Sequence, residues 1–306
     1  MRFVTFTSRP DDPAKTQLNA STPVLAASLS ADIPTPGVLL GKEDGEEVAD
    51  LSALGYPSVL DIIARGQQAL DEVRSRLDAV PHLAVSNVVL HAPIPRPPRI
   101  FAIGLNYQKH AAESKMQVQK VPTVFMKLSS SVVGTGHPII LPRLSTEPDY
   151  EAEFAVVIGA PGYQIAAEDW RRHVFGYTIV NDVSARDVQL STSQWTLGKS
   201  FPTFTPLGPS ITTADEVPDP HALAISLTIG GETLQSSNTN DLIFKVPELI
   251  AYISSITPLE TGDIISTGTP EGVGLGRTPK RWLKPDEEVV ITIERLGQLR
   301  NRTVAE

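Results

Sequence analysis

After residue 100 the chain is patterned as short apolar or alternating runs broken by Pro and Gly: RIFAIG, TVFMKL, HPIILP, EAEFAVVIG, FGYTIVND, LAISLTIGG, DIISTG and EEVVITIE. Runs of this length, bounded by turn residues, predict strands. Helical spacing is scarce there. One helix is expected to start at Asn106 or Tyr107, and another to run from Pro247 through Ile256, with Leu249, Ile250 and Ile253 on one face. Strands do not alternate regularly with helices, which argues against Rossmann and TIM architectures.

Residues 1–90 pattern differently. A hairpin-like stretch, VLLGKEDGEEVADL, precedes an amphipathic helix expected from Ser58 to Val80, carrying Leu60, Ile63, Leu70, Val73 and Leu77 near helical spacing. HAPIPRPPRI then places four prolines in ten residues, which suits neither helix nor central strand. The expectation is an α+β, predominantly β protein in three parts. Residues 1–90 form a small N-terminal α/β domain, 91–100 a stiff Pro-rich linker, and 101–306 the catalytic domain.

Composition narrows the chemistry. Of 306 residues, 41% are hydrophobic and 20% charged, as in ordinary globular proteins. A net charge of -9 without a Lys/Arg-rich face argues against nucleic acid as a partner. The absence of Cys removes thiolate nucleophiles and Cys-based metal sites. No stretch is long and apolar enough to span a bilayer, and MRFVTFTSRPDD has no apolar leader core, so a cytoplasmic protein is expected.

Glu151 and Glu153 in DYEAEFAVVIG lie two apart at the head of an apolar strand, so both project from one face. Asp149 continues the period, which suits a solvated acidic edge as well as a metal site. Asp182 closes a second apolar run, VFGYTIVND, at a strand end. Three carboxylates with open positions suit Mg²⁺ or Mn²⁺. His110 and Glu113 stand three apart, within reach on one helix face, as a general base and its orienting acid require. A mixed polar surface helix gives the same spacing. Lys199, in the Gly- and Pro-rich TLGKSFPTFTPLGP, could stabilise a developing enolate. Arg186 and Gln189 offer a fork and an amide to substrate oxygens, unless Arg186 merely pairs with Asp187. STGTPEGVGLG could form an anion-binding nest of backbone amides.

In this order IGLNYQKHAAE, PTVFMKLSSSVVGTGHPIILP, DYEAEFAVVIG, GYTIVNDVSARDVQ, LGKSF and GDIISTGTPEGVG resemble the fumarylacetoacetate hydrolase family over most of residues 100–295. The resemblance implies a mixed β-roll that dimerises, with a small domain ahead of it. It implies Mg²⁺ or Mn²⁺ on Glu151, Glu153 and Asp182, a His110–Glu113 lid dyad and a pocket Lys199. It places Arg186, Gln189 and Thr269 at the substrate, with Tyr107 and Lys127 as further substrate-binding candidates. Pro202 stands where many relatives carry Asp after KSF, which puts the support of Lys199 in question. Leu128 replaces a common Pro, a lesser change.

The expected partner is a small oxo-acid or dicarbonyl. The expected activity is metal-dependent hydrolysis of a C–C bond in an acylpyruvate-type substrate, with His110 activating water and the metal and Lys199 stabilising an enolate. The same site could instead decarboxylate a 2-oxo diacid such as oxaloacetate or isomerise a hydroxydienoate. An inactive family member that binds a small molecule is the alternative from another class.

Overall fold

The computed structural model describes residues 1–9, 34–41, 46–113 and 119–306. Among them a 12-stranded sheet forms one layer and a five-stranded sheet a second. The large sheet is ordered His82–Ala84, Glu47–Asp50, Thr35–Leu40, Arg2–Ser8, Thr205–Thr213, Val174–Asn181, Ala152–Ile158, Ile264–Ser266, Ile100–Gly104 and Thr123–Lys127, with Val88–His91 and Val132–Val133 on side branches. The smaller sheet runs Glu232–Asn238, Ala224–Ile229, Glu288–Ile293, Gly297–Ala305 and Ile139–Leu141. Most pairs are antiparallel, but Ile264–Ser266 runs parallel to Ile100–Gly104 and Gly297–Ala305 parallel to Ile139–Leu141. The fold is therefore the expected α+β, mostly β architecture with mixed sheets.

The eight strands expected after residue 100 are all present, each a short apolar or alternating run bounded by turn or polar residues. Ala152–Ile158 and Val174–Asn181 are buried along their whole length, which explains why they read as continuous apolar runs. Side chains from both sheets and from the helix Val246–Ile256 fill the main core, Phe154, Tyr177, Leu227, Ile250 and Ile291 among them. As its pattern requires, that helix buries Leu249, Ile250 and Ile253.

Of the strands that escape the sequence pattern, three in the second half of the chain are long: Thr205–Thr213, Glu232–Asn238 and Gly297–Ala305. The first carries Pro206, Gly208 and Pro209, residues that ordinarily exclude a central strand. It nevertheless lies between Arg2–Ser8 and Val174–Asn181, and its register with the latter shifts between Tyr177 and Ile179. The irregularity accommodates residues that cannot complete a regular ladder.

The N-terminal part corrects one expectation. The hairpin Thr35–Leu40 with Glu47–Asp50 forms as expected, its turn lying outside the described residues. The single helix expected from Ser58 to Val80 is instead two, Val59–Arg65 and Gln67–Arg76, followed by the single turn Leu77–Ala79. Ser58 caps the first, its Oγ accepting from Asp61 N at 3.2 Å. Gly66 ends it at φ 59° and ψ −135°, a conformation open almost only to glycine. The break turns Val59, Ile62 and Ile63, then Ala69 and Val73, onto a second core shared with Phe175 and Ile211 of the large sheet.

Candidate active site

Strand pairing brings the three acids together. Ala152–Ile158 pairs antiparallel with Val174–Asn181 in a register that sets Ala152 opposite Asn181. One step beyond, Glu151 faces Asp182, and Asp182 N donates to the Glu151 carbonyl at 2.9 Å. Glu153, two residues along, shares the face of Glu151. One ligand oxygen from each of Glu151, Glu153 and Asp182 lies within 4.8 Å of the others, and all three residues are buried. A solvated acidic edge is thereby ruled out.

Three buried cations answer these acids. Lys199 Nζ donates to Glu151 Oε2 at 2.7 Å and to Asp182 Oδ2 at 2.8 Å. Lys127 Nζ reaches Asp182 Oδ1 at 2.5 Å and also bonds the Lys199 carbonyl. Arg186 donates from Nη2 to Glu151 Oε1 at 2.5 Å, from Nε to Asp149 Oδ2 at 2.8 Å and from Nη1 to Gln189 Oε1 at 2.9 Å. With Asp149 included, four carboxylates face three fixed cations. Burial alone would raise the Glu151 carboxyl, but Arg186 and Lys199 outweigh it and hold the group down at about 2. Glu153 has no such cation in contact. Burial, then the charges of Asp182 and Glu151, push it up to about 8, although its Oε2 accepts from Ser266 Oγ at 2.6 Å and Gly268 N at 3.0 Å.

These residues suit a divalent ion of the Mg²⁺ type. The donors are all oxygen, and the Lys199 ammonium already bridges two of them as a cation would. Glu153 is the carboxylate left without a cation of its own, and such an ion would supply one.

The dyad closes over the same place. His110 and Glu113 lie on the helix Gln108–Glu113, with His110 Nδ1 3.3 Å from Glu113 Oε2. Glu113 also accepts from Gly272 N, at 3.2 Å to each oxygen. A Cβ at residue 276 would sit 2.4 Å from Glu113 Cδ, so any larger residue there would push the Glu113 carboxylate aside. Burial raises the Glu113 carboxyl, but His110 and the Gly272 amide outweigh it and leave it below the ordinary range. His110, Glu113, the three acids, Arg186, Gln189, Lys199 and Thr269 all line one cavity of about 540 Å³.

Two candidates do not line it. Lys127 is fully buried behind Asp182, and Tyr107 is fully buried with its hydroxyl unpartnered among the described residues. Burial, reinforced by the charge of Glu153, raises that phenol.

Several roles differ from the sequence reading. Arg186 pairs with Asp149 and Glu151; Asp187 instead accepts from Ser145 Oγ and Thr146 N. Asp149 is fully buried and accepts from Gly274 N at 2.7 Å and Leu275 N at 3.0 Å. The anion in the backbone nest is therefore one of the protein's own side chains. Pro202 occupies the first central position of a turn closed by Phe204 N donating to Phe201 O at 3.0 Å, with Thr203 at φ 68°. Proline suits that position and costs no needed donor, so Lys199 keeps its contacts. Leu128 donates its amide to Ser200 Oγ at 3.1 Å, a bond that proline could not make. Phe125, Trp195 and Lys280 also line the cavity, with no sequence signal to mark them.

The model of the fumarylacetoacetate (FAA) hydrolase C-terminal family matches residues 99–304. This chain belongs to the fumarylacetoacetate hydrolase family. It is a metal-dependent enzyme of that family, and its relatives differ in the reactions their names record. "Oxaloacetate tautomerase fahd2, mitochondrial" of Xenopus laevis is 44% identical over 282 residues, covering 90% of this chain and 88% of its own. Oxaloacetate tautomerase YisK of Bacillus subtilis is 44% identical over 225 residues, covering 72% of this chain and 74% of its own. Maleylpyruvate hydrolase of Sphingobium sp. SYK-6, in complex with manganese (II) ion and pyruvate, shares the fold at a TM-score of 0.79 and 29% identity, over 100% of this chain and 99% of its own. Among the described residues, no helix of this fumarylacetoacetate hydrolase family member is long and apolar enough to cross a membrane.

Proposed function

We propose that this enzyme interconverts the enol and keto forms of a 2-oxo diacid, with oxaloacetate as the substrate and Mg²⁺ or Mn²⁺ as the ion. One observation carries the reading: a His–Glu dyad, a lysine ammonium and three carboxylates open onto a single cavity. The tautomerase names of relatives 44% identical over most of the chain favour this reaction over others possible at the same site.

Glu151, Glu153 and Asp182 would hold the ion, which would supply Lewis-acid stabilisation of the enolate of a 2-oxo acid. Everything else falls to side chains. With Glu113 on Nδ1, the other ring nitrogen of His110 is the atom that takes the proton from C3 or returns it there. Lys199 gives two of its three N–H bonds to Glu151 and Asp182, and its third is directed to the oxygen at C2 as negative charge develops. One proton leaves carbon and one arrives on oxygen, so the substrate formula is unchanged. The helix Gln108–Glu113, held to the Gly272 amide, keeps bulk water from the enolate.

Hydrolysis of an acylpyruvate, first in the sequence reading, stands second here. It uses the same dyad on water, and the fold shared with a maleylpyruvate hydrolase supports it.

The test is the decay of enol-oxaloacetate with Mg²⁺, with Mn²⁺ and with EDTA, beside acetylpyruvate and a hydroxydienoate. Accelerated, EDTA-sensitive ketonisation is expected; turnover of acetylpyruvate alone would reverse the order of the two readings. A thermal-shift series with Mg²⁺ and oxalate should show more stabilisation by the pair than by either alone, and Glu151→Ala should abolish that synergy.

A further inference from the structure

Three side chains with a fixed positive charge line the cavity: Arg186, Lys199 and Lys280. The first two are committed. Arg186 is shared among Asp149, Glu151 and Gln189, and Lys199 bridges Glu151 and Asp182. Lys280 has no carboxylate partner among the described residues; its Nζ donates to the Leu275 carbonyl, a neutral acceptor. Thr278, which also faces the cavity, makes no side-chain hydrogen bond among those residues.

The segment carrying Lys280 is fixed at both ends. Gly272 N is held by Glu113, and Gly274 N and Leu275 N by Asp149. Arg277 Nε donates to Gly272 O at 3.1 Å, Arg281 N to Gly274 O at 3.2 Å, and Arg281 Nη2 to Glu287 Oε1 at 2.6 Å. Lys280 thus extends from a rigid rim, which limits the ordering that binding would require.

Charge decides what this rim can recognise. The charges of Arg186 and Lys199 are already spent on the cavity's own carboxylates, so among the described residues Lys280 is the lining fixed cation left to receive a second carboxylate on a substrate. We propose that Lys280, assisted by the Thr278 hydroxyl, binds the second carboxylate of the substrate and selects 2-oxo diacids over 2-oxo monoacids. The inference rests on the proposed function for its substrate class. A charged hydrogen bond to carboxylate replaces the one to the Leu275 carbonyl, whereas an uncharged chain end gains nothing from the exchange.

The test uses the full chain loaded with Mn²⁺ and the variants Lys280→Met and Lys280→Arg. In Lys280→Met, KM for oxaloacetate should rise about tenfold while kcat stays within about twofold; Lys280→Arg should keep KM near that of the parent. Calorimetry with 2-oxoglutarate and 2-oxobutanoate provides a readout independent of turnover. The parent should favour the diacid, and Lys280→Met should erase that preference. An unchanged KM with an unchanged preference, or equal weakening toward both acids, overturns the assignment. Should the parent fail to turn over oxaloacetate, the proposed function falls, and the calorimetric preference still decides the role of Lys280.

Discussion

Glu153 makes metal binding depend on a single proton. Burial and the charges of Asp182 and Glu151 push its carboxyl up to about 8, so at neutral pH the ion-free enzyme holds a proton where the ion would sit. Binding must expel it. For one group of that pKa, the apparent dissociation constant for Mn²⁺ rises about fiftyfold as the pH falls from 8 to 6, or about 2.3 kcal/mol. Titration calorimetry in two buffers of different ionisation heat counts the proton directly: close to one released near pH 6.5, and almost none well above pH 8. Stability follows the same linkage. The folded-state pKa lies above the ordinary value of 4.5, so the folded enzyme binds more protons than the unfolded chain between the two values. Ion-free stability therefore declines as the pH rises through that window, and saturating Mn²⁺ should remove the decline. Glu153→Gln should bind the ion more weakly and release no proton. A flat dissociation constant between pH 6 and 8 with no proton release would refute the reasoning.

Two further predictions concern the framework. His91 and His137 face each other at 5.3 Å between ring centroids, and burial followed by the charge of His137 lowers His91 to about 4. The unfolded chain then takes up the proton first, so stability should be lost as the pH falls from about 6.5 toward 4, by up to about 3 kcal/mol; urea denaturation of the parent and His91→Gln at pH 7 and 4.5 checks this, and equal losses in both would sink it. Gly66→Ala should cost about 1–3 kcal/mol in the same assay because alanine resists φ 59° with ψ −135°, and a neutral result would show that the helix break is not enforced there.

What could be read from the sequence follows from where its signals are local. The strand Ala152–Ile158 announces itself because burial on both faces demands an unbroken apolar run, and the spacing of Glu151 and Glu153 is legible because strand geometry fixes it. Their convergence on Asp182 depends on the Ala152–Asn181 register, which no single segment encodes; the ordered resemblance to a family supplied it. Asp149 looked like an argument for a surface, since its partners, Arg186 and the amides of Gly274 and Leu275, are remote in the chain. Thr205–Thr213 was hidden by Pro206, Gly208 and Pro209, local discouragements overridden by pairing on both sides. In the Ser58–Val80 stretch the apolar spacing continues across Gly66, and periodicity alone does not register a change in backbone direction.

That strand register carries a consequence for how the enzyme can change. The acids sit on or beside ladder positions that cannot slip by one residue without exchanging Phe154 and Val156 with Ala155 and Val157 between the two packed faces of the sheet, so the floor of the cavity is tied to the hydrophobic interior. Its rim comes largely from the segments 190–199 and 272–280, where Lys280 projects without supporting either sheet and Trp195 rests on the large sheet at Gly104 and Phe125. Reactivity and selectivity are thus mechanically separable. New acids can be admitted by redrawing the rim while the electrostatics beneath stay intact.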